Sequence, residues 1–191
     1  MTAGVLARSA RAASGLTQSE LAIRSGIAGS SLSLIEHGKR EPTVATLDAL
    51  LRATRHIVVT VPTVRSDAAH IASEIGAAIT NSDDASAFRS FLQLADNLTA
   101  EHGATRVGLT LTEPAPTGSN HWDAAIAALC EFRLNADALP VPDWITMRAG
   151  RPDSPWAPRT SDYDIPADPT RVPSAFLRRG ILIEAETLES I

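Results

Sequence analysis

The sequence predicts a mainly α-helical chain in two parts: an N-terminal bundle of short helices, and an α+β body with short strands and a proline-rich strap. Apolar residues recur at helical spacing through much of the chain. Seven basic and four acidic side chains give residues 1–61 a charge of +3, whereas ten basic and 18 acidic side chains give residues 62–191 a charge of −8. Ten of the 12 prolines lie between Pro114 and Pro173. We therefore predict two domains, 1–62 and 63–191.

Composition restricts the classes of protein to consider. The 191 residues include one cysteine, Cys130, which excludes an internal disulfide framework and a zinc site built from several cysteines. No stretch approaches the roughly 20 consecutive apolar residues of a membrane span. Arg8 and Arg11 interrupt the start of the chain before any long apolar run. We expect a cytoplasmic protein with no signal peptide and no membrane partner.

Four short helical patterns follow one another in the first sixty residues. The second opens with Thr17-Gln18-Ser19-Glu20, a capping box in which Thr17 and Glu20 satisfy each other's backbone amides. Glycine follows the first three patterns, as is typical after a helix end. The helices are predicted over about 5–13, 17–25 and 29–36, and from Val44 onward.

Two of these helices, joined by a short turn at Ser25-Gly26-Ile27, form a helix-turn-helix pattern. Over about residues 4–55 the chain resembles the Xre-like, lambda-repressor-like helix-turn-helix family. The matching positions are Thr17-Gln18-x-Glu20-Leu21-Ala22-x-x-Ser25-Gly26-Ile27 and Ser30-x-Leu32-Ser33-x-Ile35-Glu36-x-Gly38-Lys39-Arg40-x-Pro42. The resemblance implies a dimeric, sequence-specific regulator that binds double-stranded DNA, and we expect a repressor.

The resemblance also implies roles for individual residues. The third helix would lie in the major groove, and the amides that begin the second helix would face phosphate oxygens. Arg11 and Glu36 would form an ion pair that fixes helix packing. Gln18 would approach a phosphate or the edge of the site, and Lys39 and Arg40 would supply charge to the DNA backbone. The groove-facing positions would be Gly29, Ser30, Ser31, Ser33 and Leu34.

This groove-facing set is unusual in its chemistry. Bidentate base contacts require Arg, Gln or Asn, whereas serine offers a single hydroxyl, Gly29 has no side chain and Leu34 is apolar. We expect modest affinity per monomer and strong salt dependence, so that a dimer is needed for specificity. The alternative is a degenerate domain that binds no DNA.

A strand is predicted over 55–62, because this stretch is rich in β-branched residues and ends at a proline. An isolated strand needs a partner for its backbone groups. That partner would be its copy in a second chain, as in some antitoxin relatives of this family, or a second predicted strand over 106–112. We favour pairing with the copy, which would make the dimer.

The acidic body contains three further helical patterns, over about 67–79, 83–100 and 121–135. Residues 140–173 are predicted to be either a linker or a strap. Trp144, Trp156 and Tyr163 favour the strap, since disordered segments are poor in aromatic residues. The chain is predicted to end in a basic turn, a short strand near 181–184 and a brief helix over 185–191.

No catalytic motif is evident in the body. His70, His102 and His121 lack the spacing of metal ligands, and Cys130 lies in an apolar helical pattern that predicts a buried, unreactive thiol. We therefore predict no enzyme activity, no cofactor and no metal. A small-molecule sensor would need a pocket in the body, which sequence cannot show.

The body does resemble the C-terminal halves of some actinobacterial helix-turn-helix proteins, some of which accompany nucleotidyltransferase-like toxin genes. The resemblance is carried by Trp122-Asp123, Pro142-Asp143-Trp144 and the Pro173–Gly180 ending. It implies an alternative to a dedicated repressor. In that alternative, the protein is an antitoxin-like molecule whose body neutralises a co-encoded toxin while the N-terminal domain represses the operon.

Overall fold

The computed structural model describes residues 2–147, 154–158 and 166–189. Its contacts divide the chain into two compact units, Met1–Val61 and Pro62–Ile191, called here the N-terminal and C-terminal units. In the described part of the chain, no helix is both long enough and apolar enough to cross a membrane.

The N-terminal unit is a bundle of four helices, which confirms the four predicted ones. The helices are α1 (Ala3–Ala13), α2 (Gln18–Ser25), α3 (Gly29–Glu36) and α4 (Val44–Ala53). Each helix contributes one or two side chains to a common core, as expected when a single apolar stripe faces inward. The buried members of this core are Ala7, Leu21, Leu32, Ile35 and Leu50.

A close approach between α1 and α3 accounts for a glycine inside a helix. A Cβ atom added at Gly4 would overlap the backbone carbonyl oxygen of Ile35. The two helix backbones therefore touch at this point, and glycine is required there although it weakens a helix interior.

The predicted strand over 55–62 is not formed in this chain. Residues 56–62 lie outside helices and strands, and Ile57, Val58 and Val59 are 71%, 51% and 63% exposed. A strand exists only through hydrogen bonds to a neighbour. The second strand predicted over 106–112 is not formed either, since these residues are the end of a helix followed by turn and bend residues. The predicted pairing of the two segments within one chain is therefore wrong.

The C-terminal unit is also helical. Its helices are α5 (Ala68–Thr80), α6 (Asp84–Ala100), α7 (Gly103–Gly108), α8 (Asn120–Ala136), α9 (Asp143–Met147) and α10 (Ser174–Leu177), with short 3-10 turns at Pro169–Arg171 and Ala185–Leu188. Aspartate caps begin the two long helices that pack together, since Asp67 accepts the His70 amide at 2.8 Å and Asp83 accepts the Ser86 amide at 2.9 Å. The three predicted helical patterns are thus confirmed.

Helix α8 forms the centre of the C-terminal unit. It packs against α5, α6, α9 and α10, and four of its alanines are completely buried. Small side chains let neighbouring helices approach closely on several sides. This explains why α8 lacks the single apolar stripe of a surface helix.

The strands expected in the body are not found. The segment predicted as a strand over 106–112 contains the end of helix α7, at 106–108, followed by turn and bend residues. The buried Arg106 is fixed there because its guanidinium donates to the carbonyls of Glu101 (2.7 Å) and Arg133 (3.0 Å). Near residue 181 the described residues form a single parallel bridge, between Trp156 and Ile181, rather than a strand. No sheet occurs in the described ranges, so the α+β description of the body is not confirmed.

Two tryptophans of the proline-rich stretch pack on the C-terminal unit. Buried Trp144 donates from Nε1 to the carbonyl of Thr110 at 2.8 Å. The backbone of Trp156 bonds to Gly180 at 2.8 Å and to Leu182 at 2.7 Å. These contacts favour the strap over the linker for the described parts of 140–173, whereas Tyr163 lies outside the described residues.

Candidate nucleic-acid interface

Helices α2 and α3 are joined by a tight turn. Gly26 ends α2 in the left-handed conformation, at φ +70°, and the Ile27 amide bonds back to the carbonyl of Ala22 at 3.2 Å. Leu21 of α2 and Leu32 of α3 are fully buried and share the core. The geometry holds α3 against the bundle by one face and leaves the other face outside.

The outer face of α3 carries the predicted groove-facing residues. Gly29, Ser30 and Leu34 are exposed, and Ser31 and Ser33 are half-buried. The cap residue Ala28 has no side-chain hydrogen bond to the helix. The cap side chain therefore does not occupy the amides at the start of α3, which can donate hydrogen bonds to a phosphate oxygen.

Lys39 and Arg40 are brought beside α3 by the turn that follows it. Gly38 adopts φ +67°, and the amides of Lys39 and Arg40 both bond to the carbonyl of Leu34, at 2.8 and 3.2 Å. Arg40 then donates from Nη1 to the Ser31 hydroxyl at 3.1 Å. Both cationic side chains are exposed, so the loop adds positive charge to the edge of the serine face.

Gln18 has a different environment from the one expected. Its Nε2 donates to Oε2 of Glu36 at 2.7 Å, which commits one amide hydrogen to the protein interior. The side chain thus links the start of α2 to the end of α3. A contact from Gln18 to DNA would have to be made by its remaining polar groups.

Arg11 and Glu36 form the ion pair that the resemblance implied. Arg11 Nη1 also donates to the Leu16 carbonyl at 2.9 Å. Burial alone would raise the pKa of Glu36, whose side chain is 2% exposed, but hydrogen bonds from Arg11 and Gln18, with the positive charge of Arg11, outweigh burial and lower it. The carboxylate therefore stays ionised inside the bundle.

The first turn of α2 is occupied by its own capping box. Thr17 accepts the Glu20 amide at 3.2 Å, and Oε2 of Glu20 accepts the Thr17 amide at 2.8 Å. The hydrogen bonds from the backbone and hydroxyl of Thr17 lower the pKa of Glu20. The capping box therefore uses the amides of Thr17 and Glu20, and the phosphate contact that the resemblance implies at the start of α2 stays a prediction.

In the described part of the C-terminal unit, the relevant groups are the thiol and the side chains of the types that bind metal ions. Cys130 is completely buried, and burial raises the pKa of its thiol far above the ordinary value. In the described part of the chain, no group of three or more His, Cys, Asp or Glu side chains is arranged to hold a metal ion.

The geometry of α2, the turn and α3 defines a helix-turn-helix DNA-binding domain. Comparison with protein families agrees: residues 8–55, about a quarter of the chain, match the family model described as Helix-turn-helix. This segment is of the Xre, lambda-repressor-like type and supports a DNA-binding transcription regulator. No curated protein and no solved structure matches the chain. The resemblance of the body to actinobacterial relatives stays a prediction.

Sequence reasoning missed two contacts of this interface, Gln18 with Glu36 and Arg40 with Ser31. A glycine turn before Lys39-Arg40 was visible in the sequence and indicates that the chain reverses there. The partners of these side chains lie 18 and nine positions away. Only the packing of α2 against α3 and the direction of the turn select them.

Proposed function

We propose that this protein is a transcriptional repressor that binds double-stranded DNA as a homodimer and acts in the cytoplasm, without enzymatic activity. The observation that carries the proposal is the outer face of α3, with exposed Ser30 and half-buried Ser31 and Ser33, next to the loop that carries the cations of Lys39 and Arg40. A helix that carries hydroxyl groups and lies next to positive charge is suited to double-stranded DNA, because the DNA backbone is negative and the base edges are reached through the groove.

Affinity and specificity would come from different parts of this surface. Lys39, Arg40 and the open amides of α3 would neutralise and bond phosphates, which contributes affinity without sequence information. The serine hydroxyls would make single hydrogen bonds to bases, and Leu34 would contact a thymine methyl group. Single hydroxyl groups discriminate weakly between bases, so one domain alone would distinguish its site poorly from other DNA sequences.

The exposed segment Ile57–Val59 supports a dimer. Its β-branched side chains lie in solvent within one chain, and the segment follows α4 directly. Pairing with the same segment of a second copy would satisfy the backbone and cover these side chains. Two copies would then present two α3 helices to half-sites about 34 Å apart.

Fluorescence anisotropy with DNA from upstream of its own gene tests the proposal on the full-length protein. Binding should weaken steeply with salt, because counterions are released from the phosphates. Arg40→Ala should weaken binding, whereas Arg89→Ala, which removes an exposed arginine from the C-terminal unit, should not. Absent or salt-independent binding at low salt would contradict the proposal.

The acidic C-terminal unit supports a second candidate function. Residues 62–191 carry a charge of −8, which suits a basic protein partner, and an antitoxin-like role is compatible with repression of its own operon. The test is co-purification of the full-length protein with the products of adjacent genes, followed by growth rescue. The role is excluded if the protein co-purifies with no product of an adjacent gene and rescues no growth defect.

A further inference from the structure

The C-terminal unit contains a large cavity with aromatic walls. Its volume is about 820 Å³, within the roughly 300–1,000 Å³ of small-molecule sites. Phe88, Trp122, Trp156, Leu182 and Ile183 are among its apolar lining residues. All of the described residues that line it belong to the C-terminal unit.

The aromatic wall is held rigidly. The rings of Trp122 and Trp156 meet edge to face, with centroids 5.0 Å apart and planes at 76°. His121 stacks on Trp156 at 5.1 Å, and the Trp156 backbone is bonded on both sides to the Gly180–Leu182 segment. A ligand would therefore meet a preformed apolar surface, which reduces the ordering cost of binding.

Two acidic side chains lie among the described residues of the cavity wall. Among the described residues that line it, the charged ones are Asp84 and Glu184, and neither lysine nor arginine is present. Glu184 is partly neutralised, since Arg171 lies 3.3 Å from its Oε2 and its Oε1 accepts the Asp168 amide at 2.8 Å. Asp84 is exposed in the first turn of α6. Its carboxylate is therefore the one available to pair with the positive charge of a ligand.

We propose that this cavity is a binding site for a small organic cation, with its ammonium or guanidinium group beside Asp84 and its apolar part against Trp122 and Trp156. Aromatic rings attract cations as well as apolar groups, and the carboxylate selects against anions. An anionic or neutral ligand of the same shape lacks the attraction to Asp84. The site is separate from the DNA-binding face and does not depend on the proposed function.

Isothermal titration calorimetry on the full-length protein tests this proposal. The probes are phenethylamine and tryptamine, each compared with an uncharged and an anionic analogue: phenethyl alcohol and 3-phenylpropionate for the first, tryptophol and indole-3-propionate for the second. We expect both amines to bind about five- to tenfold more tightly than their analogues. Asp84→Asn should abolish most of this preference.

Asp143→Asn is the matched control, because Asp143 also begins a helix but does not line the cavity. It should leave binding unchanged. Trp156→Leu should weaken the binding of both amines. If that variant fails to fold, the comparison of Asp84→Asn with Asp143→Asn tests the proposal. Any of three results would overturn the proposal. Both amines could fail to bind, the analogues could bind as tightly as the amines, or the two aspartate variants could have equal effects on binding. DNA binding is measured separately and need not change.

Discussion

Arg11 of α1 and Glu36 of α3 are joined by two parallel hydrogen bonds, 2.7 Å from Nε to Oε1 and 2.9 Å from Nη2 to Oε2. Because Gln18 bonds to the same carboxylate, Glu36 is a common anchor for the first three helices. The groove-facing helix is therefore oriented by a buried charge network as well as by apolar packing.

Removing Arg11 should destabilise the N-terminal unit by about 3 kcal/mol, because the buried carboxylate of Glu36 loses its cation. The variant is Arg11→Ala, measured by urea unfolding followed by circular dichroism. Arg52→Ala, which breaks the exposed pair with Asp48, should have a much smaller effect on stability, because water screens the two charges. Tryptophan fluorescence is an internal control, since all three tryptophans lie in the C-terminal unit. Equal costs for the two arginine variants would exclude a special role for the buried pair.

Acid should weaken the N-terminal unit through Glu36. Its pKa is lowered in the folded state, so the unfolded chain binds the proton more readily, and stability falls as pH falls. The contribution is fully present above the ordinary glutamate pKa of about 4.5 and is lost as pH drops through the lowered folded value.

Glu36→Gln should flatten the dependence of unfolding free energy on pH between about pH 5 and pH 3. The measurement is urea unfolding at several pH values in that range. Glu20→Gln is the comparison, because the pKa of Glu20 is lowered in the same direction by Thr17 but its side chain is exposed. An unchanged slope in the Glu36 variant would show that this carboxylate does not control acid stability.

Gly4→Ala should destabilise the N-terminal unit by about 1–3 kcal/mol, since the added methyl group meets the Ile35 carbonyl and forces α1 away from α3. Thermal unfolding monitored by circular dichroism measures the effect. Gly29→Ala is the matched control, because nothing lies within 4 Å of its added Cβ. That substitution should stabilise the helix by up to about 1 kcal/mol. The close approach is refuted if both alanine variants are equally stable.

The salt dependence of DNA binding should identify a phosphate contact at Arg40. In Arg40→Ala, the slope of log K against log salt should become shallower by about 1, with weaker binding to every sequence tested. Arg89→Ala should keep the slope of the original protein. A change in sequence preference at an unchanged slope would instead assign Arg40 to base recognition.

Charges on the exposed segment after α4 should prevent dimerisation. The double variant Ile57→Lys with Val59→Lys places two like charges against their copies in the proposed strand pair. Sedimentation velocity should then show a monomer at concentrations where the original chain is dimeric. Val64→Lys is the control, since the Val64 side chain is even more exposed than those of Ile57 and Val59 but lies beyond the segment. A double variant that stays dimeric would remove the strand-pairing model.

Local signals were enough to predict the N-terminal helices. The capping box at Thr17–Glu20 and the glycines at helix ends act within a few residues, so their geometry follows from composition and spacing. The strand predicted over 106–112 was wrong: a helix ends at Gly108, and Leu109 and Leu111 follow it in turn and bend conformations. A short alternation of apolar residues cannot show that Arg106 is buried against the carbonyls of Glu101 and Arg133.

The helix-turn-helix, its residues and the division of charge between the two parts could be predicted from the sequence, because each depends on short-range spacing or on counting. Which side chains meet follows from the packing of the folded chain: Gln18 with Glu36, Arg40 with Ser31, and Trp122 with Trp156. These contacts join positions nine to 34 residues apart. They form because the helices pack along particular faces, and the sequence pattern shows which face is apolar without showing its partner.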